Sequence, residues 1–471
     1  VTTVEAMRKR FENIFGKEEV SFSHHLLDIS LMEEERLTEA ELFVQKHLLK
    51  PTAVTTIDRI LLSLMNYRRF TVSEIMLNNA TLIIDEIHSY SPFTFSLIVE
   101  ALRYLKEYHN VRLCIMSATM PQVIKDAFIK LDRKRTNKIR SLLSDKEVKE
   151  IYSEKKRTKI AKFYPGRLIL EGIDEIIKAF KKHRKILVVV NTVSKAQTLF
   201  DMVKERTDKN TRIVLFHSRF TYGDRNKKQK EIDRINRLSQ KVIFIATQIV
   251  EVSLDIDFDV LFTEIAPIDA IVQRAGRINR KGRKNLCNIY IFDVKDEEKG
   301  YLPYKRRQIE ESRHIICTAK VKSEVDYLEM NEVFYNKIKD YYQFELQENK
   351  LDDFLEQIYE KGSIDKALST RDGFLTIPVV PKCFKERVEE TQKEIGRINQ
   401  DLSMTKNTQE RERLRNEKLN LTANLTKYFV PISFYNAKTT LLKEMGRIPF
   451  ADLEYHLEKG IVKEDKDIVI I

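Results

Sequence analysis

Apolar and polar positions along this chain follow two alternating rhythms. Short, almost unbroken apolar runs recur at Leu82-Ile83-Ile84, Ile186-Leu187-Val188-Val189-Val190, Ile213-Val214-Leu215-Phe216, Val242-Ile243-Phe244-Ile245-Ala246 and Val260-Leu261-Phe262. Their length and branched or aromatic content predict strands buried on both faces. Between them lie stretches of helical period: Phe93 to His109 with apolar Phe95, Ile98, Val99, Leu102 and Leu105, Ile173 to His183, and Ser194 to Lys204. Strand, loop and helix alternating over short connections predict parallel sheets with right-handed crossovers. Open sheets of this kind bind ligands beyond the carboxyl ends of their strands, so the residues following each apolar run carry the candidate chemistry.

The flanks read differently. An amphipathic opening runs to Phe15 and stops at Gly16-Lys17. Ser30 to Lys50 reads as helix, broken by Pro51, and Lys130 to Lys162 is dense in Lys and Arg, where a domain boundary is expected. After a charged linker at Lys295 to Lys299 come helical stretches at Tyr304 to Lys320 and Ser323 to Leu355, then an extended Ile377 to Pro381. Phe384 to Lys427 has the pattern of a helical pair or coiled-coil-like arm, followed by a strand candidate at Phe429 to Phe434 and a helix near Ala451 to Lys459.

Length and composition narrow the class. A chain of 471 residues with 42% hydrophobic and 33% charged residues suits a globular protein of about three domains. No run approaches the ~20 apolar residues of a membrane span, and no signal-like segment opens the chain, so the expectation is a cytoplasmic protein without a membrane partner. Cys114, Cys287, Cys317 and Cys383 lack paired spacing, so neither a zinc cluster nor a disulfide framework is expected. The net charge of +12 is compatible with a nucleic-acid partner, since neutralising phosphates releases counterions.

Candidate chemistry sits at the strand ends. The run Leu82 to Ile84 delivers Asp85 and Glu86, two adjacent carboxylates suited to holding Mg²⁺ and activating a water, with His88 close behind. Val111 to Met116 leads into Ser117-Ala118-Thr119, hydroxyls able to bridge that site and a nucleic-acid path. Thr55, Thr56 and Asp58 mark a helix start whose small hydroxyls suit backbone phosphates, though an ordinary N-cap explains them as well. Asn191 and Thr192, then His217 and Ser218, end the next strands, a buried structural His being as good a reading of His217. Beyond Ala246 come Thr247, Gln248, Glu251, Ser253, Asp255 and Asp257, then Gln273-Arg274-Ala275-Gly276-Arg277-Ile278-Asn279-Arg280. Spacings of three would set Arg274, Arg277 and Arg280 on one helix face, where planar forks suit phosphate oxygens, the alternative being a solvated basic face.

Taken in order, TTID, DEIH, SAT, the NT and HSRF steps, and VSLDIDFDVLFTEIAPIDAIVQRAGRINRKGR resemble motifs Ia to VI of superfamily 2 DExH-box helicases, and specifically the helicase of type I CRISPR-Cas interference. The motif-bearing resemblance covers residues 1 to about 295, and the opening TTVEAMRKRFENIFG resembles the segment after that family's motif I. It implies an α/β fold of two RecA-like parallel-sheet lobes, the first incomplete, at 1–150 and 151–298, with a mainly helical accessory region at 299–471. It also implies ATP and Mg²⁺ as cofactors. Asp85 would associate with the metal, Glu86 would be the base, and His88 would sense the γ-phosphate. Gln273, Arg277 and Arg280 would complete the ATP site, with Asp255, Arg274 and Gly276 beside the nucleotide. Thr55, Thr56, Asp58, Ser117, Thr119, Asn191, Thr192, His217, Ser218 and Thr247 would line the path of single-stranded DNA. The implied partners are that DNA, a CRISPR RNA-guided surveillance complex and an HD nuclease, the last as a separate subunit or a lost front section, since no His-Asp dyad occurs. No G-x-x-x-x-G-K-[ST] loop occurs either, Gly16-Lys17-Glu18 being the nearest fragment, so ATP hydrolysis is expected of an intact protein. Another superfamily 2 RNA helicase, or a non-catalytic nucleic-acid-binding scaffold derived from a helicase, are the alternatives.

Overall fold

Each of the five apolar runs becomes a parallel strand; the last four share their side chains between two cores, whereas the first, expected to be buried on both faces, leaves Ile83 60% exposed. In the computed structural model, which describes residues 2–64, 70–117, 120–129, 145–238, 240–253, 256–284, 286–295, 300–319, 321, 323–340, 376–433 and 448–462, the first region alternates helices and strands. It comprises α1 (Thr2–Phe15), β1 (Val20–Ser23), α2 (Leu27–Glu33), α3 (Glu39–Lys46), β2 (Thr52–Thr55), α4 (Ile57–Leu64), α5 (Phe70–Leu77), β3 (Thr81–Ile84), α6 (Pro92–Tyr108), β4 (Arg112–Ile115), α7 (Gln122–Ile129) and α8 (Asp145–Ser153). Among the described residues β1 pairs in parallel with β2, and β3 with β4. The polar stretch after Ser30 makes two helices rather than one, because the Thr38 side chain accepts the Glu41 N–H and starts α3 afresh.

The second region holds a six-stranded parallel sheet. Its elements are β5 (Thr158–Leu168), α9 (Ile173–Lys182), β6 (Lys185–Val189), α10 (Val193–Glu205), β7 (Ile213–Phe216), α11 (Tyr222–Arg237), β8 (Val242–Ala246), α12 (Ile249–Ser253), β9 (Val260–Glu264), α13 (Ile268–Ala275) and β10 (Cys287–Asp293). Strand order is β5-β10-β9-β6-β8-β7. Ile186 and Val188 of β6 and Ile243 and Ile245 of β8 pack with α9 and α10 through Ile176, Leu199 and Val203. Their neighbours Leu187, Val189, Phe244 and Ala246 face the opposite core with Ile232, Ile235, Ile268 and Ile271. A strand covered on both sides has no polar position to spare, hence the unbroken apolar runs.

Two helices, α14 (Arg306–Thr318) and α15 (Glu324–Lys337), follow; Tyr327, Met330, Phe334 and Tyr335 of α15 share the core of α7 and α13. The final unit contains β11 (Thr376–Pro381), α16 (Lys385–Met404), α17 (Thr408–Thr426), β12 (Val430–Ser433), β13 (Phe450–Ala451), β14 (Glu454–His456) and β15 (Gly460–Val462). The helical pair is present, and β12-β11-β13 form a sheet behind it. The expected helix near Ala451 to Lys459 is instead the β14–β15 hairpin. Gly460, at φ +69°, turns the chain, and Ile461 donates its N–H to the Arg219 carbonyl at 3.0 Å, a bond a helix there would forfeit.

This unit touches both preceding regions. Ala423 and Leu419 of α17 pack with Val4, Phe22, Leu27, Leu31 and Leu37 of the first. Tyr222 and Gly223 of α11 donate to the carbonyls of Phe429 and Lys427 at 3.0 and 2.9 Å. Among the described residues no helix is long and apolar enough to cross a membrane.

Candidate active site and nucleic-acid interface

Where β3 ends, the backbone sorts the three chemical residues by a single bend. Glu86 has φ 52°, a left-handed conformation that costs a non-glycine residue about 1 kcal/mol, and its N–H is held by the Asp85 Oδ1 at 3.0 Å. That bend leaves the Asp85 and Glu86 carboxylates exposed and swings His88 inward on the 3₁₀ turn Ile87–Ser89, where it is buried. Exposed oxygen donors at a strand end suit a nucleotide-associated Mg²⁺, which needs one or two protein carboxylates besides phosphate oxygens and water. Among the described residues no group of three His, Cys, Asp or Glu side chains is arranged to hold a metal.

His88 joins three segments far apart in sequence. Its Nδ1 is hydrogen-bonded to the Ser117 hydroxyl, just past β4. Its Nε2 lies 3.0 Å from the Gln273 side-chain nitrogen on α13. An amide N–H can only donate, so Nε2 accepts and the ring proton sits on Nδ1, directed at Ser117. Burial pushes the imidazole below its ordinary pKa, against the pull of Asp269 and Asp85, which agrees with that neutral form. Glu86 Oε2 stands 3.5 Å from Nδ1, so the exposed carboxylate and the buried ring are in electrostatic contact.

The arginine motif departs from its expected geometry. The helix α13 stops at Ala275, so Arg274, Arg277 and Arg280 do not share a helix face. Backbone competition explains the stop: Phe258 donates to the Arg277 carbonyl and accepts from the Asn279 N–H, both at 3.0 Å, which ties this segment to Phe258 through a single parallel bridge at Ile278. Asn279 takes φ 47°, which Asn tolerates, and its side chain holds the turn through the carbonyls of Arg157 and Lys284 at 3.2 and 3.0 Å. Arg274 points into the interior, with its side chain 0% exposed. It donates to Glu251 Oε1 at 2.8 Å, Thr263 Oγ1 at 2.7 Å, the Glu264 carbonyl at 3.1 Å, Asn191 Oδ1 at 3.3 Å and Tyr304 Oη at 2.8 Å. A nucleotide contact by Arg274, expected from sequence, is therefore replaced by a structural one. Arg277 donates to the Glu251 carbonyl, Gly276 caps α13, and Arg280 lies exposed with its N–H on Asp257 Oδ1 at 2.8 Å.

Several residues expected along the DNA path lie inside instead. Asn191 is buried, donating its N–H to Glu264 Oε2 at 2.6 Å and its Nδ2 to the Ile265 carbonyl at 2.8 Å, so it braces the arginine motif. His217 is wholly buried; its ring stacks on Phe220 at 4.5 Å and its Nδ1 accepts the Arg219 N–H at 3.2 Å. Burial, then the charges of Arg219, Lys228 and Arg225, push its pKa well down, and of the two readings of His217 this arrangement fits the buried structural one. Thr247 is buried beside Phe216. Thr192 caps α10 by accepting the Lys195 N–H, and Ser218 lends its carbonyl to Arg225. Thr55, Thr56 and Asp58 are half-buried at the β2–α4 junction, Thr55 donating to the Ser23 carbonyl at 2.9 Å. Thr119 and Asp255 lie outside the described residues.

Of the two acids behind the motif, sequence reasoning singled out Glu251 and missed Asp269. Glu251 pairs with Arg274, and Asp269, in the first turn of α13, acts electrostatically on His88. An acid embedded in the apolar helix IDAIVQRA was a usable signal for Asp269. Tyr304, a chain-distant partner of Arg274, left none.

Comparison with known proteins bears on this arrangement. Residues 3–127 match the DEAD/DEAH box helicase model, and residues 182–283 match that of the C-terminal part of the CRISPR-associated nuclease/helicase Cas3. A putative CRISPR-associated nuclease/helicase Cas3 from Methanocaldococcus jannaschii is 28% identical over 360 residues, which is 72% of this chain and 47% of that protein. The crystal structure of T. fusca Cas3 with AMPPNP superposes with a TM-score of 0.73 at 16% identity, covering 98% of this chain and 64% of that one. A chain of a CRISPR RNA-guided surveillance complex, pre-nicking, matches with a TM-score of 0.61 at 14% identity, over 98% and 64%. The chain thus spans less than half of its curated relative and about two thirds of the solved chains.

Proposed function

We propose that this chain, which resembles the Cas3-type superfamily 2 helicases in its motifs and its fold, is the motor portion of a DNA helicase of type I CRISPR-Cas defence. It would use ATP with Mg²⁺ to move along single-stranded DNA in the cytoplasm and unwind target DNA for degradation. Its partners would be an RNA-guided surveillance complex and an HD nuclease. The units are taken as 1–150, 151–298 and 299–471.

One observation carries this reading: the neutral His88 ring joins the carboxylate strand, the Ser117 turn and the Gln273 helix. A site that hydrolyses a nucleotide between two lobes needs its acids to feel the partner lobe, and this ring is the physical link. Asp85 is the residue to hold the metal, whose bound charge would offset that of the phosphates. Glu86, exposed and 3.5 Å from the His88 ring, is placed to orient and deprotonate a water. Arg280, exposed beyond the Asn279 turn, and Arg277 are the cations that approach from the second lobe, while Arg274 holds the scaffold from which they extend.

The test is ATP hydrolysis by the 471-residue chain and by the longest natural polypeptide carrying it, with and without single-stranded DNA. DNA-stimulated hydrolysis that falls about 100-fold or more in Glu86→Gln is expected. Stimulation by RNA alone would redirect the assignment to an RNA helicase. Binding without hydrolysis in both polypeptides, unchanged by Glu86→Gln, would make the protein a scaffold.

A further inference from the structure

The helix that carries Gln273 is gripped at both ends by tyrosines from outside the helicase motifs. Tyr335, on α15 and 1% exposed, donates from Oη to Asp269 Oδ2 at 3.2 Å, in the first turn of α13. Tyr304, just before α14, accepts from Arg274 Nη2 at 2.8 Å, in the last turn. The other Asp269 oxygen accepts the Ala270 N–H at 2.9 Å, so this first-turn carboxylate is tied to the helix backbone while Tyr335 holds it from behind. Gln273 stands four residues after Asp269, on the same face, and reaches His88 Nε2 at 3.0 Å. The ring of Tyr335 and the side chains of Phe334 and Ile338 pack in one core with Ile268 and Ile271, so α13 has little room to rotate once the hydroxyl is in place.

We propose that Tyr335 is a positioning residue for ATP hydrolysis: through Asp269 it sets the pitch of α13, and thereby the Gln273–His88 contact. The inference rests on the helicase reading. Its consequence is that α14 and α15, which lead toward the C-terminal unit, are mechanically tied to the nucleotide site, so that what α15 does is felt at His88. The charge of Asp269 also acts on the His88 ring across the same interface, opposing the burial that lowers its pKa.

Tyr335→Phe removes one hydroxyl and keeps the buried ring. In the longest natural polypeptide, its DNA-stimulated kcat for ATP is expected to fall about fivefold, the worth of one hydrogen bond, with KM for ATP within about twofold. Combined with His88→Ala it should add nothing further, because both act on one link. A residue that only fills the core would leave kcat intact and lower the melting temperature, or its effect would multiply with that of His88→Ala; either result overturns the proposal. If wild-type polypeptide shows no DNA-stimulated hydrolysis, the motor reading fails, and the positioning is judged on its own by ¹⁵N-histidine NMR. A shifted His88 Nε2 resonance in Tyr335→Phe supports the link, and an unshifted one refutes it.

Discussion

Replacing Arg274 by Met separates the two roles an arginine in this motif can have. The side chain is 0% exposed and donates to five partners, of which Glu251, itself only 11% exposed, carries the opposite charge. Met fills much of the same volume but leaves the Glu251 carboxylate without its counter-ion, and breaking one side of a buried pair costs about 3–5 kcal/mol. For a cooperative unit of this size each kcal/mol lowers Tm by about 2–4 °C, so a loss of roughly 6–20 °C is expected in a calorimetric scan at pH 8. The pH dependence has a definite sign. Burial already pushes Glu251 above the ordinary carboxylate pKa, with Arg274 opposing it. With Arg274 gone it rises further, so between the unfolded and folded pKa values the native state binds the extra proton. Stability is then fully present below the unfolded pKa and is lost as pH rises through the folded one, making the deficit smaller at pH 5 than at pH 8. Adding Glu251→Leu should recover part of it. A deficit under about 3 °C that ignores pH, alongside lost ATP hydrolysis, would refute this reasoning and return Arg274 to the phosphate-facing role its spacing suggests.

Gly460→Ala should loosen the β14–β15 hairpin from the second lobe, since the new Cβ would lie 2.5 Å from the Arg219 carbonyl at a φ of +69°. Faster hydrogen exchange at 217–221 and about 1–3 kcal/mol of lost stability are expected, and unchanged exchange would show that the hairpin does not clamp the His217 loop. In the first region burial raises the Glu5 pKa, but the His24 hydrogen bond and the Arg8 charge outweigh it and hold the carboxyl at about 2. The resulting stability, at most about 3 kcal/mol, is present above the unfolded pKa near 4.5 and fades as pH falls toward 2. Denaturant titrations of wild type and Glu5→Gln should therefore differ at pH 7 and converge near pH 2.

The strands were readable because a sheet covered on both faces leaves an unbroken apolar signature, as in β6 and β8. Asp85, Glu86 and His88 were readable because their order after β3 is a local fact. Less legible was direction. Spacing alone put Arg274, Arg277 and Arg280 on one face, and the outcome turned on Phe258, whose backbone pulled 277–279 into a bridge. His217 was open to two readings, a strand-end contact or a buried structural His, and the hairpin around Gly460, more than two hundred residues away, decided for the second by covering it. The same hairpin carries the stretch read as helix near Ala451, where helical propensity lost to backbone bonds with Arg219.

Sequence by itself determined the α/β alternation, the apolar runs that become strands and the identity of the chemical groups, since these depend on neighbours within a few positions. Tertiary structure alone decided which of those groups face inward. A side chain's burial depends on what arrives from elsewhere in the chain, as Tyr304 does for Arg274, Tyr335 for Asp269 and Gly460 for His217, and such partners impose no periodic pattern on the sequence they contact.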